Sequence, residues 1–205
     1  MQIFIFLFLI LFPFSSMASS YRNIQLPYGI SVEVPLGWVI LNKSITRQLD
    51  NSIEATYGFD QSNNEILFAA NCYTNNDKRA AATFRISIRH KTPDFSQNDL
   101  KIIDEADLDE YKKEIINVLK KINNIHQCKI NFRNIQVRIN TINTLLCLEI
   151  IKEEYCKNYT KIAITNILPL DNSLAKITYS FESEQRNLLF PIINKMVKSI
   201  KFNNN

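Results

Sequence analysis

Residues 145–181, LLCLEIIKEEYCKNYTKIAITNILPLDNSLAKITYSF, carry three β-rich runs, at 145–151, 161–168 and 174–181, parted by short polar stretches. Runs of this length bounded by Asn, Asp and Lys read as consecutive strands joined in hairpins. Immediately upstream, Ile130, Phe132, Ile135, Val137 and Ile139 add one more strand, so a four-stranded antiparallel meander is expected. Downstream, Leu188, Leu189, Ile192, Ile193, Met196, Val197 and Ile200 recur at helical spacing and predict a closing amphipathic helix. Pro191 either kinks that helix or marks its first turn.

The first half of the chain follows the same grammar. Residues 66–73 and 83–90 predict a hairpin in which Phe84, Ile86 and Ile88 alternate with Arg85, Ser87 and Arg89, the last set forming a solvent-facing cationic row with Lys91. Ile30, Val32 and Val34 alternate with Ser31 and Glu33, and a turn at 35–37 leads to Trp38, Ile40 and Leu41, the signature of a strand pair. Trp38 is expected in the core beside Pro35. Ile45, Leu49, Ile53 and Tyr57 predict a short helix over 43–57, and 94–104 reads as loop. The longest helix then starts with Asp107 as N-cap and Glu110 as its capping-box partner, and buries Leu108, Tyr111, Ile115, Val118, Leu119 and Ile122. Strands outnumber helices and run in consecutive hairpins. This order predicts an α+β fold, an antiparallel sheet with helices packed on its faces, rather than an alternating parallel architecture.

Composition bounds the function. At 205 residues, 46% hydrophobic and 21% charged, the chain is of single-domain size with an ordinary globular balance. Its three glycines exclude glycine-rich phosphate loops, and its turns must rely on Asn and Asp. The net charge of +4 comes from interspersed cations and anions rather than a basic stripe, so no nucleic acid is expected as a partner.

Residues 3–14 form an apolar run broken only by Pro13, followed by Ser15, Ser16, Met17 and Ala18. Small residues thus fall at the minus three and minus one positions of a signal-peptidase site, and the run is too short to span a bilayer. The expected organisation is a signal peptide over 1–18 and a single α+β domain over 19–205, with no stable membrane insertion after cleavage; the competing reading of the apolar run is a retained membrane anchor. Export would place Cys72, Cys128, Cys147 and Cys156 where disulfides persist. On a hairpin turning at 140–144, Cys128 faces Cys156, whereas Cys147 lies an odd nine residues from Cys156 and points to the other face. Cys128–Cys156 is the predicted disulfide. A further Cys72–Cys147 bridge stays open, as does a state with four free thiols.

No reaction chemistry announces itself. The serine-elbow, zinc-protease, EF-hand and Walker patterns are missing, and no catalytic residue, cofactor or metal ligand is indicated. His90 and His126, the only histidines, could serve a cysteine nucleophile only by approaching Cys72 or Cys128 in space. The acid pairs Glu153 with Glu154 and Glu182 with Glu184 read as solvated hairpin-tip residues rather than as glycosidase carboxylates.

Several phrases resemble the PsbP-like superfamily. An opening strand ISVEVP at 30–35 runs into Leu36-Gly37-Trp38, residues 175–180 resemble that family's penultimate strand, and KMVKSIKF at 195–202 resembles its closing helix and last short strand. The resemblance implies an antiparallel sheet sandwiched between helices, and a binding or assembly module rather than an enzyme. Its members include extrinsic photosystem proteins, a nuclear import factor that binds the GTPase Ran, and exported bacterial proteins and lipoproteins. The expectation is an exported non-catalytic binding or assembly protein of the cell envelope or secreted fraction, periplasmic or secreted. Its partner would be a protein or small-molecule ligand met on a sheet face or in a groove beside the long helix. The competing readings are a small secreted hydrolase and an immunity or inhibitor protein.

Overall fold

The computed structural model of the chain describes residues 20–46, 64–74, 79–90, 93–122 and 128–203. The region 1–18 and residues Lys91 and His126 lie outside them.

Eleven strands form two antiparallel sheets among the described residues. The small sheet sets β2 (Ile30–Pro35) between β1 (Tyr21–Gln25) and β11 (Lys201–Phe202). The large sheet runs in the order β3 (Val39–Ile40), β4 (Asn64–Cys72), β5 (Ala82–Arg89), β10 (Ser173–Glu182), β9 (Tyr159–Leu170) and β8 (Leu145–Cys156). The far edge of β8 is shared by β6 (Lys129–Ile130) and β7 (Gln136–Ile142). The expected meander is present as β7 to β10. The expected pairing around Pro35 is not, because β2 and β3 enter different sheets: Trp38 N–H closes a turn on the Pro35 carbonyl, and β3 pairs with β4 while β2 pairs with β1 and β11.

One face of the large sheet packs on the closing helix, α3 (Arg186–Ser199). Leu189, Ile193, Met196, Val197 and Ile200 interlock there with Phe84, Ile86, Ile177 and Phe181 of the large sheet and Ile30, Val32, Val34 and Trp38 from the segment around the small one. Pro191 lies inside the helix, in its second turn, rather than in its first. Ser199 fixes the helix on β2 by accepting the Glu33 backbone N–H at 2.8 Å while donating to the Met196 carbonyl.

The opposite face of the β7–β9 end carries α1 (Gln97–Ile102) and α2 (Glu105–Ile122). The presence of α1 corrects the expected loop over 94–104. Ser96 and Asp99 form a capping box, and the Gln97 carboxamide enters the sheet where β8 and β9 part, bonding the Leu146 N–H and the carbonyls of Leu146 and Pro169. The cap of α2 is Asp104 rather than Asp107. Asp107 occupies the N3 position and returns the bond to the Asp104 N–H. Leu108, Tyr111, Ile115 and Leu119 are half-buried and Val118 is exposed, so the helix lies more shallowly than its pattern predicts. A helical turn capped by Asn42 opens at 43–46, and the rest of the helix predicted there lies outside the described residues.

Cys128 and Cys156 are joined by a disulfide between the start of β6 and the end of β8. Cys72 and Cys147 are free. Their strands stand four places apart, roughly 19 Å at the usual strand spacing, far beyond the reach of a disulfide.

Candidate functional site

The register of the large sheet lays out rows of side chains across its α3 face. One row runs Arg138, Glu149, Asn166, Ile177, Ile86, Phe68; its neighbour runs Gln136, Ile151, Ile164, Tyr179, Phe84, Ala70. Toward β4 and β5 the rows are apolar and fill the core. Toward β7 they become polar, and there α3 and the sheet enclose a groove of about 520 Å³. Ile142, Ile151, Ile162, Ile164, Tyr179 and Phe181 line its sheet side; Arg186, Phe190, Asn194, Val197 and Lys198 line its helix side.

The polar end of the groove is built around Glu149, whose side chain is only 3% exposed. Arg138 Nε donates to Glu149 Oε2 at 2.5 Å and Asn140 Nδ2 donates to Oε1 at 2.8 Å. Next to it, the fully buried Asn166 accepts from the Cys147 thiol at 3.4 Å. Burial, reinforced by the Glu149 charge, pushes the Cys147 thiol up to about 12. The same two causes raise the Tyr179 phenol well above its usual range. A thiol held protonated in this way is a poor nucleophile.

The residues singled out from the sequence do not assemble into a catalytic group. His90 is exposed just past the end of β5, 3.7 Å from Glu65 and edge-on to Tyr28, which itself donates to Glu65. The Cys72 thiol is half-buried and raised by burial. Cys128, the other cysteine considered as a nucleophile, is in the disulfide. Glu153 and Glu154 point to opposite faces of β8. Glu153 is held down mainly by hydrogen bonds from Asn134 and Tyr155. Glu154 is buried rather than solvated: burial would raise its carboxyl, but Lys152 at 2.7 Å and Lys161 at 2.9 Å outweigh that and lower it. Glu182 pairs with Arg79 and Glu184 is exposed. Arg85 of the predicted cationic row is half-buried, Arg89 exposed. The groove lies beside the closing helix, while the space beside the long helix is a smaller cavity of about 270 Å³ lined by Leu100, Ile103, Tyr111 and Leu148.

Sequence reading missed Arg138, Glu149 and Asn166. For Glu149 and Asn166 the signal was present: in LLCLEII and IAITNIL a single Glu and a single Asn occupy the inward parity of otherwise apolar strands.

No family model matches the chain, and no curated protein matches it. Among solved structures, cyanobacterial PsbP (CyanoP) from Synechocystis sp. PCC 6803 superposes with a TM-score of 0.56 over 92% of this chain and 96% of that one, at 7% identity. The chain has the PsbP-like fold. LpqN, involved in cell envelope biogenesis of Mycobacterium tuberculosis, gives a TM-score of 0.48 at 12% identity over 89% of this chain and 90% of its own. A protein from Bacteroides thetaiotaomicron gives 0.49 at 10% identity, over 89% of this chain and 48% of that one. Within the PsbP-like fold, the meander β7 to β10 and the closing helix supply both walls of the groove.

Proposed function

We propose that the chain is an exported, non-catalytic binding protein of the cell envelope or secreted fraction, and that its ligand is a small molecule taken into the groove beneath α3. In this reading residues 1–18 are removed on export and 19–205 fold as one domain. The groove carries the proposal: at about 520 Å³ it falls in the roughly 300–1,000 Å³ range of small-molecule sites, with an apolar floor and a few convergent polar groups. The Cys128–Cys156 disulfide supports a compartment outside the reducing cytoplasm. Among the described residues no helix is long and apolar enough to cross a membrane.

The test is methyl-resolved NMR of the mature domain against a fragment set of organic acids, sugars and apolar rings. Shifts gathered on the methyls of Ile151, Ile162, Ile164 and Val197 are expected. A set that moves none of them refutes the groove as a binding site, and N-terminal sequencing of the natural product that begins at Met1 refutes export.

A further inference from the structure

Glu149 poses an energetic question. Removing a carboxylate from water is expensive, and a buried ion pair is seldom a net stabiliser compared with apolar residues of the same volume. Yet Glu149 stands between Cys147 and Ile151 on the inward face of β8, at a row position where an apolar side chain would extend the core. What the pair does is orient Arg138. Glu149 holds the guanidinium through Nε alone, and Asn140 completes the carboxylate from the other side. The two terminal nitrogens of Arg138 have no partner among the described residues, and its side chain is 58% exposed at the groove. A guanidinium fixed through Nε presents the rest of its fork in one direction, the arrangement that binds a carboxylate or phosphate by two parallel hydrogen bonds. Arg186 and Lys198 line the same groove from α3, both exposed; Arg186 lies over the Phe190 ring, and Lys198 has no partner among the described residues. Of the acids lining the groove, Glu149 is neutralised by Arg138, and Glu153 is occupied by Asn134, Asn131 and Tyr155. Beyond the cations the lining turns to Ile151, Ile162, Ile164, Phe181 and Val197.

We infer that the groove takes a single-chain amphiphile with an oxyanion head, the head on the Arg138 fork and the chain on the isoleucine floor. This rests on the groove being a binding site and adds the ligand class. Glu149 and Asn140 are positioning residues for Arg138.

The test titrates the mature domain with decanoate, decyl phosphate, 1-decanol and acetate, followed by calorimetry and isoleucine methyl shifts. Decanoate or decyl phosphate should bind at least roughly tenfold more tightly than decanol, and acetate weakly. The tighter of the two oxyanions identifies the head as carboxylate or phosphate. Arg138→Lys keeps a cation beside Glu149 but removes the fork, and should weaken the oxyanion by roughly tenfold while leaving decanol unchanged. Lys198→Gln, an exposed change with no effect on folding expected, should weaken the oxyanion severalfold and spare decanol. Decanol binding as tightly as both oxyanions, or oxyanion affinities unmoved in Lys198→Gln and in folded Arg138→Lys, overturns the inference. If no ten-carbon ligand shifts the groove methyls but members of the fragment set do, the ligand class is wrong and the binding groove stands. If neither does, both fail.

Discussion

Replacing Cys128 and Cys156 together by serine removes a cross-link that closes a loop of 28 residues' sequence separation. In the chain-entropy treatment a loop of that length restricts the unfolded ensemble by about 3.5 kcal/mol. For a chain of 205 residues each kcal/mol moves the melting midpoint by about 2–4 °C, so the double variant should melt about 7–14 °C below the parent. The folded state offers little to compensate. β6 has only two residues, and its pairing with β8 is joined by the Asn131 N–H on the Glu153 carbonyl and by side-chain bonds from Asn131. Circular-dichroism melts with and without a phosphine reductant provide the assay. Reductant should lower the parent midpoint to that of the double variant and leave the double variant where it is. Amide exchange at Ile130 and Asn131 should quicken before the rest of the sheet responds. Thiol titration of the denatured, unreduced parent should find two groups, Cys72 and Cys147, against four after reduction. A double variant melting within about 2 °C of the parent would refute the assigned stabilisation, since so small a shift corresponds to about 1 kcal/mol or less. Four reactive thiols before reduction would refute the pairing itself.

Three further perturbations test contacts that hold the fold together away from the groove. Gly29 has φ +68°, and a Cβ there would stand 2.3 Å from the Asn203 carbonyl oxygen, so Gly29→Ala should cost about 1–3 kcal/mol and raise amide exchange at Phe202 and Asn203; unchanged exchange would count against the close approach. Gln97→Ala deletes three bonds that tie α1 into the gap between β8 and β9 and strands the Leu146 N–H, for an expected loss of about 1–3 kcal/mol in urea unfolding, whereas a neutral result would mean that α1 docks by packing alone. Glu154→Gln leaves Lys152 and Lys161 facing each other without the carboxylate; because both lysines are partly in water, the expected cost near pH 7 is about 2 kcal/mol rather than the larger figure for a fully buried pair. The folded Glu154 carboxyl lies below its ordinary 4.5, so the parent's advantage is complete above that value and is lost as pH falls through the lower folded value; an advantage that persists at pH 2 would contradict the ion-pair assignment.

The disulfide shows how legible the fold was and where legibility ended. Cys128 does face Cys156, but not on one continuous hairpin. In the β7–β8 ladder Gln136 faces Ile151, a register that, continued unbroken, would set Cys128 opposite Tyr159. The 3-10 turn at Phe132–Asn134, capped by Asn131, takes up three residues, after which Lys129 faces Tyr155 and the cysteines meet. An alternating apolar pattern carries no mark of such a turn, because Phe132 and Ile135 fit a strand as well as they fit a turn. The separation of β2 from β3 was hidden for a related reason: strand pattern and turn chemistry are local, while the choice of sheet depends on β11, contributed by residues far along the chain. The cap of α2 was misplaced by three residues because Asp-x-x-Asp at 104–107 and Asp-x-x-Glu at 107–110 are both capping signatures, and the sequence alone does not rank them.

The groove follows from how the strands share one face. In a six-residue row across the large sheet, every inward position from β10 to β4 can be apolar because α3 and the small sheet cover it completely. The β7 end projects past that cover, and an inward residue there meets both protein and solvent. An apolar side chain at position 149 would be buried at no electrostatic cost, so a glutamate there needs a compensating partner, and Arg138 on the edge strand is the one residue in the row free to supply it while keeping its head in water. Position 166, one strand further in, takes an asparagine that meets the Cys147 thiol rather than a second charge, since a second ion there would have no edge strand from which to draw a counter-ion. Polarity along the row therefore falls from an exposed cation through a buried anion and an amide to isoleucine within the width of four strands. Such a gradient contributes little to holding the domain together. Its fit is to a molecule with one charged end and one apolar end, and this is why the edge of the sheet, rather than any histidine or free thiol, carries the functional reading.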